Sequence, residues 1–570
     1  MKIELLDNRR LTGPNLYWDA PGALLDVAVE EGLTDKSPAQ MLTDAWTSQV
    51  QALMQGVGWD HKRITSRQFR GGVSLIIHAP IDVLYAACEL NEVALASAIR
   101  ILSGKSLPSV EQTIEHLAGL VAAECNPALL ALQSAAAEHQ VPFLWDDDEV
   151  SVGYGKTAQV WPANELPAIT EVDWQQCASI PLGIVTGTNG KSTTVRLAAS
   201  ILAAAGLRAG VTSTDYIRVG ERILEQGDFS GPGGARTLLR HPESEVVVLE
   251  VARGGLLRRG IGVERADAAL ITNIAADHLG DYGINTVAEM AEAKFIVRRA
   301  LGEEAPLILN ADDPESVQFA NGLEHDIVWF GLNPESGLMK RHLQAGGDAA
   351  FLVGGDLMLQ SNGHRRMIAH VKDVPVTFAG AARYNISNSL AAIMLCHILG
   401  ASDDALRSGL GNFSGDADSN PGRGNLFEKN GIRIFLDFAH NEHGVKAVAA
   451  TVNAFNADRN IVLMGQAGDR EDKEIADLVA AVCELNPVRL LVCDLPGYER
   501  GRQPMETAQM ISGFAVDNGI PSKSITLFAS PDEGVRDALA NAKPGDCLVL
   551  LALSQRDEVI SLIRDFVAKD

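Results

Sequence analysis

The chain has 570 residues, with 73 acidic side chains against 48 basic ones and a formal charge of −25. At roughly 150 residues per domain, that length implies about three or four domains. A surface so acidic repels phosphate backbones and argues against general nucleic-acid binding. With 46% hydrophobic and 21% charged residues, the composition is globular and excludes a mainly disordered chain.

The opening MKIELLDNRRLTGPNLYW has no apolar run of the signal-peptide kind, and no stretch reaches the ~20 uninterrupted apolar residues of a membrane span. The seven cysteines are scattered and form no C-x-x-C pair, so neither a zinc site nor a disulfide framework is indicated. Reduced thiols, a cytoplasmic location and no membrane or nucleic-acid partner are the expectation.

Six tryptophans (Trp18, Trp46, Trp59, Trp145, Trp161, Trp174) precede residue 175 and only Trp329 follows, which sets apart an N-terminal domain over 1–178. Apolar residues at helical spacing predict helices over about 81–103 and 109–139. From Pro181 short β-branched runs alternate with Ala-rich stretches: LGIVTG, a helix to about Ala205, SEVVVLEVA, DAALITNIA, a helix around 286–301, then PLILNADDP. That alternation predicts an α/β domain over 179–420 with a mostly parallel sheet. After the Gly/Asp/Ser/Pro-rich segment 411–424 the pattern restarts with IRIFLDFAH, RNIVLMGQAGD, VRLLVCDLP and DCLVLLALS, a second and smaller α/β domain over 421–570.

The sharpest motif is Thr186-Gly187-Thr188-Asn189-Gly190-Lys191-Ser192-Thr193-Thr194, between a strand and a helix. Glycines let backbone N–H groups curl around an anion, and the helix N-terminus adds partial positive charge. Lys191 would reach the β- and γ-phosphates of ATP, and Ser192 would place a hydroxyl on Mg²⁺. The first glycine of the common phosphate-loop pattern is replaced by Val185.

This TGTNGKST variant resembles the loop of the Mur ligase superfamily. The resemblance continues through Thr212-Ser213-Thr214, Glu250 at the end of VVVLE, Asn273-Ile274-Ala275-Ala276-Asp277-His278-Leu279, Lys294, Asn310-Ala311-Asp312-Asp313-Pro314, Asn385 and Asn388, Pro421-Gly422-Arg423-Gly424, and Asp437-Phe438-Ala439-His440-Asn441. Within the superfamily, GDFSGP at 227–232 and EVARGGLLR at 250–258 resemble the Mur part of cyanophycin synthetase. The ATP-grasp module of that enzyme finds no counterpart here.

The resemblance implies an α/β fold in three domains: an N-terminal α/β domain, a central P-loop ATPase domain and a C-terminal Rossmann-like domain. It implies ATP and two Mg²⁺ ions as cofactors. Gly187, Thr188, Asn189, Gly190, Lys191, Ser192 and Thr193 would cradle the phosphates, Asn310 would meet adenine, and Arg423 and Asp437 would close over phosphate and ribose. Ser192 and Glu250 would hold one ion, and His278 with a carbamylated Lys294 the other. A carbamate there makes physical sense, because an ammonium would be a cation beside a metal. Arg236, Arg253 and Arg258 are candidates to grip an acidic acceptor, since arginine forks onto carboxylates. His440, Asp469, Arg470, Asp494, Arg500 and Arg502 are candidates for the incoming amino acid.

The expected activity is ATP-dependent amide formation between an amino acid and an acidic peptide or amino-acid derivative through an acyl phosphate, releasing ADP and phosphate. A homo-oligomer is expected, with a separate ATP-grasp ligase as a conceivable partner. The alternatives are a folylpolyglutamate- or polyglutamate-type ligase, and an ATP-binding scaffold without catalysis.

Overall fold

A computed structural model describes residues 2–30, 37–59 and 62–569. Its strands form four sheets. The largest has eleven strands. Ala209–Thr212, Val246–Glu250, Leu182–Thr186, Ala268–Ile271, Leu307–Asn310, Ile327–Gly331 and Ala349–Val353 lie side by side in that order, all parallel. Antiparallel hairpins extend both edges.

Such a sheet is covered on both faces, which explains why its strands read as continuous apolar runs. Successive residues of Leu182–Thr186 serve opposite cores. Val185 packs with the helices Lys191–Ala204, Arg383–Ile398 and Asp403–Asn412 on one face. Ile184 packs with Pro232–Arg240, Arg253–Arg259 and Val287–Lys294 on the other. The strand order reverses at Leu182–Thr186, so the crevice beyond its carboxyl end is where ligands bind in open α/β sheets.

The C-terminal sheet has six strands, five of them parallel, with the edge strand Arg423–Lys429 antiparallel to Ile432–Asp437. The N-terminal region contributes a four-stranded antiparallel sheet, backed by helices, and a small three-stranded one. The helix expected over 109–139 is two helices, Val110–Glu124 and Pro127–Glu138. Pro127 has no N–H to continue the first helix and disfavours helical backbone at Asn126, which instead caps the second through its side chain. The helix expected over 286–301 likewise ends at Lys294 and tightens into a 3₁₀ turn over Phe295–Ala300. Among the described residues no single helix is long and apolar enough to cross a membrane.

The N-terminal region docks on the central one by backbone pairing. Thr12 N–H donates to Arg259 O at 2.8 Å, and Ile261 N–H to Pro14 O at 2.7 Å. Gly13 permits this approach, because a Cβ there would lie 2.4 Å from Ile261 O. Arg67 adds bonds to Gly283 O and Glu289 Oε1, and Arg240 pairs with Asp146 at 2.6 Å.

Candidate active site

A cavity of roughly 1030 Å³ opens at the carboxyl ends of the central strands and is closed over by the C-terminal domain. The phosphate loop forms its floor. Gly187 and Gly190 have φ of +146° and +86°, and a Cβ on them would lie 1.9 Å from Thr272 Oγ1 and 2.3 Å from Asn388 Oδ1. Only glycine fits both. The loop is pinned from the next strand. Thr272 Oγ1 and Asn273 Nδ2 donate to Asn189 O at 2.6 and 3.0 Å, and Thr188 N–H donates to Asn273 O at 2.8 Å. Lys191 Nζ folds over the loop, donating to the carbonyls of Gly187 and Thr188 at 3.1 Å each.

Glu250 ends its strand beside this loop and is 1% exposed. Ser192 Oγ donates to its Oε1 at 3.0 Å, and its Oε2 has no partner among the described residues. Burial pushes the carboxyl pKa up, against the charges of Lys191 and Arg423. A buried carboxylate oxygen without a partner, next to a hydroxyl and facing a phosphate loop, is an oxygen donor set that suits Mg²⁺. Ser192 and Glu250 therefore fit one ion.

Asp277, His278 and His440 present ligand atoms within 4.8 Å of one another. His278 sits in the left-handed region at φ +50°. Its carbonyl accepts from Arg253 Nη1 at 2.5 Å, and Arg253 Nη2 continues to Asp281 at 2.8 Å. From the C-terminal domain, Arg470 is 3.3 Å from Asp277 Oδ1 and places Nη2 2.7 Å from His278 Nε2. Burial, reinforced by Arg470 and Arg253, lowers the imidazole to about 4, so His278 is neutral and carries a lone pair. Burial works to raise Asp277, yet His440, His278 and Arg470 outweigh it and hold that carboxyl well below its usual range. The donor set fits a divalent ion once Arg470 withdraws from Nε2. Lys294 ends its helix with 3% exposure. Burial first, then Lys191 and Arg253, lower its amine to about 7, against the pull of Asp277 and Asp313.

The C-terminal domain supplies the roof. Arg423 lies over the Phe438 ring at 4.6 Å. Asp437 accepts from Ala439 N–H at 2.7 Å, and burial raises it to about 6 although Arg423 opposes that. Asn189 Nδ2 donates to Asn441 Oδ1 at 3.1 Å, and Asn441 Nδ2 donates back to Asn189 Oδ1 at 3.2 Å. Asn310 lines the cavity, as do Ile274, Leu332 and Val448, with its amide engaged by Thr272 O and Asp312 N–H.

The candidates for the two substrates are placed less uniformly. His440 and Arg500 line the cavity, and Arg500 pairs with Asp469 at 2.5 Å. Asp494 caps Met505 N–H, and Arg502 ties Gly468 O, Arg470 O and Asp472 together, so both build the loop. Arg236, Arg253 and Arg258 do not converge on the cavity. Arg236 is turned to Thr12 Oγ1 at 3.1 Å, Arg253 holds the His278 turn, and Arg258 is exposed. Asp277, Asn441 and His443, which lines the cavity with Nδ1 3.0 Å from Asn189 Nδ2, had no assigned role from sequence. Asp277 and Asn441 stand in motifs next to assigned histidines, whereas nothing local marks His443.

The description "Mur ligase middle domain" matches residues 185–396, and "Mur ligase, glutamate ligase domain" matches 422–552. The chain belongs to the Mur ligase superfamily. A cyanophycin synthetase of Trichormus variabilis is 35% identical over 73% of this chain and 46% of its own length, and one of a Nostoc species 35% over 59% and 38%. The chain thus spans less than half the length of these relatives. UDP-N-acetylmuramoyl-L-alanyl-D-glutamate–2,6-diaminopimelate ligase of Geobacter metallireducens is 26% identical over 66% of this chain and 74% of its own. E. coli FolC with ADP and without folate substrate shares the fold at a TM-score of 0.51, with 20% identity over 68% of this chain and 89% of FolC.

Proposed function

We infer that this chain joins a carboxylate to an amino-acid amine at the expense of ATP. The observation that carries this reading is the convergence, on one cavity, of a phosphate loop, the half-satisfied buried Glu250, and Arg423 and His440 from a second domain. A carboxylate does not react with an amine at useful rates. Its oxygen attacks the γ-phosphorus, the bond to the β-phosphate oxygen breaks and ADP leaves. The amine then attacks the acyl carbon, phosphate departs, and the amine loses a proton to a base.

The work of the chain is to position the reactants and neutralise crowded charge. Lys191, already bent over the loop, would swing to the β- and γ-phosphates. Arg423 would contact phosphate and Asp437 the ribose. Ser192 and Glu250 would hold one Mg²⁺, and His278 with Lys294 the second. These ions, when bound, neutralise phosphate oxygens and polarise the γ-phosphoryl group. An amine lowered to about 7 is largely neutral at slightly alkaline pH. A neutral amine can add CO₂ and release a proton, turning Lys294 into an anionic carbamate that suits a cation. His440 and Arg500 face the cavity from the domain that would bring the amino acid. The relatives' names support an amino acid or acidic peptide as substrate, and the three arginines outside the cavity give no grip for the acceptor.

The test is ADP release screened over the standard amino acids, each with acidic acceptors including aspartate oligomers. Stimulation by a specific pair is expected. A loaded, folded enzyme that no pair stimulates would overturn the reading.

A further inference from the structure

Asp215 follows the strand Ala209–Thr212 in the central domain and receives two guanidinium groups, one on each oxygen. Arg196 comes from the helix Lys191–Ala204 that begins at the phosphate loop; its Nη2 pairs with Asp215 Oδ2. Arg556 is the first residue of the C-terminal helix Arg556–Ala568; its Nη1 pairs with Asp215 Oδ1. Asp215 and Arg556 are 341 residues apart in sequence. Arg196 is 1% exposed, and its Nη1 also donates to Asn420 Oδ1 at 2.8 Å. Asn420 sits at the joint between the domains. Its Nδ2 donates to Thr193 Oγ1 at 3.3 Å and to Arg423 O at 3.1 Å. Burial works to raise Asp215, but Arg196 and Arg556 outweigh it and keep the carboxyl below its usual range.

One carboxylate therefore ties the phosphate-loop helix to the C-terminal domain, and the same network holds the backbone of Arg423. Asp215 and Arg556 both line the cavity with Lys191, Ser192 and Arg423. A partly buried, two-sided arginine–carboxylate contact fixes geometry better than an exposed pair. We propose that Asp215 and Arg556 are a cross-domain positioning pair that sets the C-terminal domain on the phosphate loop, so that Arg423 and His440 meet the γ-phosphate end together. This rests on the ligase reading. Misplacing the roof would leave the phosphate-loop contacts in place and loosen those of Arg423 and Asp437, while spoiling attack by the amine and exposing the acyl phosphate to water.

Arg556 is the residue to change, because Asp215 is also the counter-ion of the buried Arg196. Arg556→Met keeps length and apolar stem but removes the charge; Arg556→Lys keeps the charge without the fork. With the acceptor pair found for the wild type, Arg556→Met should lower kcat for amide formation about tenfold or more, raise KM for ATP by a smaller factor, and release ADP in excess of amide. Arg556→Lys should recover part of both kcat and coupling. Scattering with a nonhydrolysable ATP analogue should give the Met variant a larger radius of gyration than the wild type. A folded Met variant with wild-type kcat and one amide per ADP would overturn the pair. So would a loss confined to KM for ATP. If the wild type itself turns over no substrate pair, the ligase reading fails while the scattering comparison still decides the pair: indistinguishable analogue-bound curves overturn it. Should the Met variant not fold, the same measurements on Arg556→Lys decide between a partial positioning defect and none.

Discussion

Ser192 Oγ donates to Glu250 Oε1 at 3.0 Å, while Glu250 Oε2, equally buried, has no partner among the described residues. Half of a buried carboxylate is thus left to something outside the chain. A neutral amide in its place removes the buried charge, whose desolvation costs more than that of a neutral polar group. Glu250→Gln should therefore raise Tm in metal-free buffer. The wild type should gain Tm on adding Mg²⁺ with an ATP analogue, and the variant should gain much less. Equal Mg²⁺-dependent gains in thermal denaturation would remove Glu250 from the ion site.

Lys191 Nζ donates to the carbonyls of Gly187 and Thr188, contacts a ligand would replace. Lys191→Ala should leave the fold intact by circular dichroism, since Lys191 and Thr188 line the cavity and water can take the place of the amine. ATP hydrolysis should fall by orders of magnitude, at about 1.4 kcal/mol per tenfold. Near-normal ADP release from a folded variant would exclude the loop from the chemistry.

Much of this arrangement was legible because its signals are local. The phosphate loop is a strand, two glycines that must adopt positive φ, and a helix start, all within the ten residues 182–191. Glu250 and Asn273 sit at the ends of apolar runs, and parallel strands carry such ends to one edge. The acceptor arginines were harder, because their partners are distant: Thr12 for Arg236, across 224 residues, and the His278 turn for Arg253. An arginine's sequence neighbours do not reveal whether its fork is already taken. Arg556 and Asp215 belong to no motif, and only the packing of two domains brings them together. The break at Asn126-Pro127 was the opposite case, since its local signal was visible but the helical periodicity on either side outweighed it.

Arg470 donates toward His278 Nε2 from the C-terminal domain, and its charge is one reason the imidazole lies near 4. In the unfolded chain the ring has its ordinary value of 6.5. Below that value the unfolded state binds a proton that the native state refuses, so this histidine removes stability as pH falls from 6.5 toward 4. Arg470→Met should raise the His278 pKa toward the ordinary value and narrow that window. NMR titration of the imidazole carbon signals checks the shift, and urea denaturation at several pH values checks the window. An unmoved His278 would show that Arg470 does not set it.

Lys294 is fully buried with its amine near 7 against 10.5 in the unfolded chain. Between those values the unfolded state carries the proton and the native state does not, so stability should rise with pH from about 7 to 10.5 and the penalty should be complete below 7. Lys294→Met removes the penalty and should be more stable than the wild type at neutral pH, yet inactive. The same titration governs carbamylation, which consumes the neutral amine. Activity should climb as pH rises through 7 and fall in CO₂-depleted buffer. It should return on adding bicarbonate, and a ¹³C carbamate signal should appear with labelled bicarbonate. Lys294→Ala should lose ligation and recover part of it with acetate or formate, which can occupy the vacated space as anions. Lys294→Arg should not recover, because its long cation still fills that space. Full activity of Lys294→Ala without added carboxylate, or no carbamate signal at saturating bicarbonate and Mg²⁺, would remove Lys294 from the second ion site and leave the metal to Ser192, Glu250 and His278.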